Sequence, residues 1–226
     1  MENKCVVLLS GGQDSTTCLA WAKKNFEEVE AVSIFYRQRH QRELECATKI
    51  CEISNTKQTI IDCTCLSKIA KSNLVTKDGD ISQKHELDNT LPASFVPNRN
   101  MIFLSLVASY AYSNNIFNIV TGVCVTDYSG YPDCRNDFIE SIQHSISLAL
   151  GKSIAIYTPL MFLSKADIVM LMKELGHLDW YKYTNTCYEG FNPPCGKCPA
   201  CIIREKGFRE AGIIDPLNKK ILKGEL

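Results

Sequence analysis

The chain has 226 residues, 25 basic and 25 acidic, and 45% of its residues are apolar. That length supports a sizeable core in one or two domains, and the apolar share excludes a disordered chain. A formal net charge of zero excludes the broad positive footprint of a dedicated nucleic-acid-binding domain, so no direct nucleic-acid contact is expected.

The apolar stretch from Cys5 to Leu9 is too short for a signal peptide and runs straight into a glycine turn. No segment approaches the roughly 18 apolar residues of a membrane span. The expectation is a soluble cytoplasmic protein with no membrane contact. Twelve cysteines are many for that compartment. Eight of them (Cys5, Cys18, Cys46, Cys51, Cys63, Cys65, Cys124 and Cys134) are scattered and read mainly as reduced, packed side chains.

Apolar β-branched runs alternate with helical periods along the chain. "CVVLL" reads as a buried strand, and Cys18, Trp21 and Ala22 mark a helix face after the turn that follows it. "VEAVSIFY" is a second strand, and "RELECATKICEIS" a helix with Leu44, Ala47, Thr48 and Cys51 along one side. "KQTIID" is a third strand. Residues from about 71 to 97 are polar with weak periodicity and read as an inserted loop with room for a short hairpin. "NRNMIFLSLVASYAYS" is an apolar helix with Asn98 as its expected cap. "FNIVTGV" is a fourth strand, followed by the Gly/Pro loop "VTDYSGYPDC". The next helix, "RNDFIESIQHSISLAL", turns Phe138, Ile139, Ile142, Ile146 and Ala149 to one side. "SIAIYTPL" is a fifth strand. "SKADIVMLMKELG" opens with a capping box from Ser164 to Asp167 and stops at Gly176. Repeated βα units predict a single α/β domain over 1–226. A parallel five-stranded sheet should carry helices on both faces, with ligands at the carboxyl ends of its strands.

"SGGQDS", between the first strand and the first helix, aims backbone N–H groups and a positive helix end at one point, which is an anion site. Ser10 and Ser15 add hydroxyl donors. Asp14 cannot help an anion directly and points to a bound cation, most simply Mg2+. The lysine of the common nucleotide loop is missing, as is the dinucleotide spacing. Near the C-terminus, "CYEGFNPPCGKCPAC" places Cys187, Cys195, Cys198 and Cys201 at metal-ligand spacing. Four thiolates close a tetrahedron around one Zn2+, so residues 187–201 read as a structural zinc segment beside the active edge.

The hexad resembles the signature of the ATP pyrophosphatase (PP-loop) superfamily. The resemblance implies that ATP is held by Leu9, Ser10, Gly11, Gly12, Gln13, Asp14, Ser15, Thr16, Thr17, Cys18 and Leu19, with its β- and γ-phosphates in the turn. A substrate oxygen then attacks the α-phosphorus and pyrophosphate leaves. Lys165 matches a second phosphate-binding lysine of several relatives, its plain alternative being a solvated lysine at a helix start.

Further stretches, "FYRQRHQRE", "FVPNRN" and "GVCVTDYSGYPDCR", join the cysteine cluster in a set that resembles the 7-cyano-7-deazaguanine synthase family from Val6 to about Gly207. The resemblance implies a carbon–nitrogen ligase in queuosine precursor synthesis. Its substrates are 7-carboxy-7-deazaguanine, ammonia and ATP. The acid is adenylylated and converted to an amide, and the amide is adenylylated in turn and becomes the nitrile. A homodimer is also implied. Arg39 and His40 are candidates for the reacting carboxylate or leaving-group charge. Arg99 suits a phosphate or the substrate carboxylate, or else a structural ion pair. Asp127, Tyr128, Tyr131 and Asp133 suit the deazapurine, and Asp127 has magnesium binding as its alternative. Cys134 reads as a packing or site-wall residue, since adenylate chemistry needs no thiol, and His85, His144 and His177 as surface or structural. Val125 departs from the polar residue expected in many relatives. A tRNA-sulfurating enzyme, an NAD or GMP synthetase-like ligase and a zinc-ribbon binding module are the competing readings.

Overall fold

A computed structural model describes residues 3–36, 42–70, 72, 74, 84–86, 88–125 and 130–218. Its strands are β1 (Lys4–Leu8), β2 (Glu28–Phe35), β3 (Lys57–Asp62), β4 (Asn118–Val120) and β5 (Ala155–Tyr157). They form one parallel sheet in the order β3-β2-β1-β4-β5. The helices are α1 (Gln13–Asn25), α2 (Arg42–Ile53), α3 (Leu66–Ile69), α4 (Arg99–Ser113), α5 (Asn136–Leu150), α6 (Lys165–Glu174) and α7 (Pro199–Glu210).

Because side chains alternate along a strand, β1 feeds two cores. Val6 joins one with Phe103, Leu104 and Val107 of α4 and Ile139, Ile142 and Ile146 of α5. Cys5 and Val7 join the other, with Leu19 of α1, Ala47 and Ile50 of α2 and Ile168 of α6. Both sheet faces are therefore covered, which is why the strands read as continuous apolar runs. The chain winds from β1 to β2 on one side and later to β4 on the other, so the carboxyl end of β1 is the switch point where such sheets bind ligands.

Several expectations are corrected. β4 and β5 keep three residues each, shorter than their apolar runs. The Thr121 N–H still bonds the Tyr157 carbonyl at 3.0 Å, but Gly122 then passes the start of α1, and a Cβ there would lie 3.1 Å from the Asp14 and Ser15 backbone. α2 buries Cys46, Ala47, Ile50 and Cys51, a face rotated from the one the sequence marks. Asn98 does not cap α4 with its side chain. It sits in the left-handed region at φ 58°, and the capping falls to a distant residue described below. Within the inserted loop, an isolated antiparallel bridge pairs Lys84 with Pro92. The capping box of Ser164 and Asp167 forms as read. No helix among the described residues is long and apolar enough to cross a membrane.

Candidate active site

The glycine turn folds as its residues require. Gly11 adopts φ +89°, and a Cβ there would meet the Glu43 carbonyl oxygen at 2.1 Å, so α2 closes onto the turn only because this residue has no side chain. The Ser10 and Ser15 hydroxyls stand 3.0 Å apart. The Gly12 N–H donates to Ser10 Oγ at 3.3 Å, and Ser15 Oγ accepts from the Ser10 N–H at 3.1 Å. Gly12, at the start of α1, has no side chain to cap the helix, so the first-turn N–H groups are offered to a ligand.

Only the first half of the expected nucleotide stretch faces the cavity at this point. Leu9, Ser10, Gly12, Gln13, Asp14 and Ser15 line it. Thr16, Thr17, Cys18 and Leu19 are fully buried and bond or pack inward: Thr16 Oγ1 donates to the Gly12 carbonyl, and Thr17 Oγ1 meets the Tyr181 hydroxyl at 2.6 Å. Rotation along α1 carries them away from the ligand edge and into the core.

Lys165 is not a solvated lysine. Its Nζ lies 2.5 Å from Asp14 Oδ2, and both side chains are mostly buried. Asp14 Oδ1 is buried and has no hydrogen-bond partner among the described residues. An orphaned carboxylate oxygen is the donor that a hard cation such as Mg2+ takes, so the residues present fit that ion.

The cavity, of about 290 Å3, runs from this turn to a second pole around Arg99, at the start of α4. Three tyrosines gather there. The Arg99 guanidinium carbon lies 5.6 Å from the centre of the Tyr131 ring, and Tyr36 and Tyr188 also line the wall. Burial pushes the Tyr36 phenol up to about 12, against the nearby Arg99 charge. Burial likewise raises Tyr188 well above the ordinary phenol range. These phenols therefore stay protonated and can donate. Tyr131 is tied down by a 2.7 Å hydrogen bond with Ser94.

Asp133 takes a different position from the one its residue type promised. It is buried, and its Oδ2 accepts from the Asn100 N–H at 2.9 Å while its carbonyl accepts from Asn100 Nδ2 at 2.9 Å. It supplies the α4 cap that Asn98 does not. Cys134 lines the cavity and packs against the core, with Asn100 Nδ2 3.3 Å from its sulfur. The scattered thiols at Cys5, Cys18, Cys46, Cys51, Cys63 and Cys124 are buried, and burial lifts Cys46 and Cys51 to about 11. Expectations for Arg39, His40, Asp127 and Tyr128 fall outside the described residues.

The four clustered cysteines do come together: the sulfurs of Cys187, Cys195, Cys198 and Cys201 lie within 4.8 Å of one another. Cys195 and Cys201 sulfurs are 3.9 Å apart. A tetrahedron with metal–sulfur bonds of about 2.3 Å requires sulfur separations near that value. Backbone N–H groups of Lys197 and Cys198 point at Cys195 Sγ, at 3.4 and 3.3 Å. A hydrogen bond from Cys201 pulls the Cys198 thiol down to about 5, toward the thiolate a metal needs. The fit to a closed four-sulfur metal centre is good.

Thr186, Tyr188 and Arg204 are not among the expected site residues, yet all three line the main cavity. Thr186 and Tyr188 flank Cys187, the one signal that was available. Arg204 is buried in a bidentate pair with Asp215, at 2.6 and 2.9 Å, and also donates to Thr184 Oγ1 at 2.8 Å.

The family model described as "Queuosine biosynthesis protein QueC" matches residues 4–212. A 7-cyano-7-deazaguanine synthase of Bacillus subtilis is 47% identical over 211 residues, covering 92% of this chain and 95% of that protein. The one of Chromobacterium violaceum is 44% identical over 223 residues, covering 97% and 94%. Among solved structures, a 4-thiouridine synthetase in complex with RNA and ATP aligns with TM-score 0.53 at 20% identity, over 93% of this chain and half (50%) of that one. That last likeness concerns the fold.

Proposed function

The chain belongs to the queuosine biosynthesis protein QueC family, a family of ligases, and from that premise we propose that it makes 7-cyano-7-deazaguanine from 7-carboxy-7-deazaguanine, ammonia and ATP. The observation that carries the reading is the cavity itself. It joins a phosphate cradle at one end to a guanidinium ringed by phenols at the other, so a carboxylate held at the second end can face a nucleotide held at the first.

The order of events follows from the chemistry. A substrate carboxylate oxygen attacks the α-phosphorus of ATP, the bond to the β-phosphate breaks and pyrophosphate leaves. Ammonia attacks the acyl carbon, AMP departs and an amide forms with loss of a proton. The amide oxygen attacks a second ATP in the same way, and loss of AMP with two protons leaves the nitrile. Both activations place AMP on an oxygen of the same carbon, so one cradle serves twice. Ser10, Ser15, Lys165 and the first-turn N–H groups of α1 hold the departing pyrophosphate, fixed donors being the main source of rate in such a step. Arg99 orients the carboxylate, with the phenols of Tyr36 and Tyr188 beside it and Tyr131 walling the ring. Asp14 would hold magnesium, which when bound offsets phosphate charge. The cysteine cluster would hold one structural zinc. A homodimer is the assembly we expect in solution.

The test is incubation with Mg-ATP, ammonium and 7-carboxy-7-deazaguanine, with products followed by mass detection. Nitrile with AMP at two to one is expected. Folded, metal-loaded protein that yields neither AMP nor modified substrate would refute the reading.

A further inference from the structure

We propose that Thr186 is a direct ligand of the ATP phosphates, its hydroxyl donating to an oxygen held at the glycine turn. The inference rests on the reading of that turn as the ATP site. The Thr186 hydroxyl is buried and has no hydrogen-bond partner among the described residues. A buried hydroxyl left unpaired is costly, so its retention calls for a partner that arrives. Its place says which. Thr186 lines the main cavity, and its methyl carbon stands 3.9 Å from where a side chain on Gly12 would begin. The neighbouring Asn185 N–H donates to the Gly11 carbonyl at 3.2 Å, which stitches this segment to the turn. The other orphaned oxygen in the same wall, Asp14 Oδ1, is an acceptor. A donor and an acceptor left open at one turn match an anion carrying a cation, which is the form in which a nucleotide polyphosphate binds.

The placement of Thr186 is set from its far side. The next residue, Cys187, is fully buried in the cysteine cluster, and its N–H is held by Asn185 Oδ1 at 2.7 Å. The metal-binding segment thus presents a threonine to the cavity wall beside the glycine turn.

The experiment compares Thr186→Val and Thr186→Ser in the full chain. Val keeps the shape and removes the donor, and Ser keeps the donor. Binding of Mg-ATP and Mg-pyrophosphate is measured by calorimetry, melting is followed without nucleotide, and kcat and KM for ATP come from pyrophosphate release. A hydrogen bond to a charged oxygen corresponds to about tenfold to a hundredfold in affinity. Thr186→Val should bind both ligands more weakly by that factor, with an unchanged or higher melting temperature, because it removes an unsatisfied polar atom. Thr186→Ser should restore most of the affinity. Val binding both ligands as tightly as wild type would overturn the proposal. So would a loss of melting temperature without nucleotide that accounts for the weaker binding. If wild type binds ATP but releases no AMP with the deazaguanine acid, the functional reading fails, and the binding comparison still decides Thr186. If wild type binds no ATP, both fall.

Discussion

Asp14→Asn is the most informative single change at the site. The substitution preserves shape and removes one negative charge from a pair whose oxygen and nitrogen are 2.5 Å apart, with 22% and 14% of the two side chains exposed. For the fold the loss is small, because the amide oxygen that replaces Oδ2 still accepts a hydrogen bond from Lys165: about 1 kcal/mol, so melting should fall by roughly 2–4 °C in a chain of this size. For the reaction it is large. The carboxylate anchors Lys165 and offers the buried Oδ1 to a cation, and removing one preorganised electrostatic group from a reacting centre costs on the order of 10²–10³ in kcat. The assay is pyrophosphate release under saturating ATP and substrate. Lys165, no longer facing a carboxylate, still pairs with phosphate, so KM for ATP should hold or fall while kcat drops. If Asp14 and Lys165 act as one unit, Asp14→Asn combined with Lys165→Met should lose far less than the sum of the two single effects. A kcat for Asp14→Asn within about tenfold of wild type would refute the assignment of Asp14 to the reacting phosphates, since it lies below the range for such groups.

Other consequences of the structure can be checked independently. Arg204→Met leaves the Asp215 carboxylate buried without its partner and should destabilise the protein by about 3–5 kcal/mol in urea, whereas Arg204→Met with Asp215→Leu should recover much of that; equal single and double losses would contradict the argument. Gly11→Ala demands a strained backbone and collides with the Glu43 carbonyl, so the variant should be insoluble or lack ATP binding, and a normal protein would show that α2 moves freely. The native protein should carry about one zinc per chain by elemental analysis, and Cys198→Ser should lose both metal and solubility; well-folded protein purified without metal would remove the structural role. Brief alkylation at pH 8 followed by mass mapping should label exposed Cys65 and spare Cys5, Cys46 and Cys51, whose thiols burial pushes up to about 12, 11 and 11; thiols titrating so high are protonated throughout, and early labelling of Cys46 would place α2 differently.

The amino-acid sequence by itself determined the sheet and its chemistry wherever the signal is local. Apolar runs define strands, as "CVVLL" does for β1, because a central strand covered on both faces reads as a continuous apolar run. Ser164 and Asp167 announce the start of α6 because a capping box is made by residues three apart. The turn at Gly11 and the cysteine spacing are legible for the same reason: covalent proximity almost fixes the geometry that the ligand needs. Tertiary structure alone decided the rest. Nothing local says that Lys165 pairs with Asp14 across 151 positions, or that Asp133 rather than adjacent Asn98 caps α4. Thr16, Thr17, Cys18 and Leu19 belong to the signature stretch yet turn inward, since a helix rotates about 100° per residue and only its first turn meets the ligand edge. Thr186 carries no pattern beyond its place beside Cys187. Its position follows from Asn185, whose N–H reaches the Gly11 carbonyl only when distant parts of the chain are packed together, and from Cys187 in the cysteine cluster on its other side.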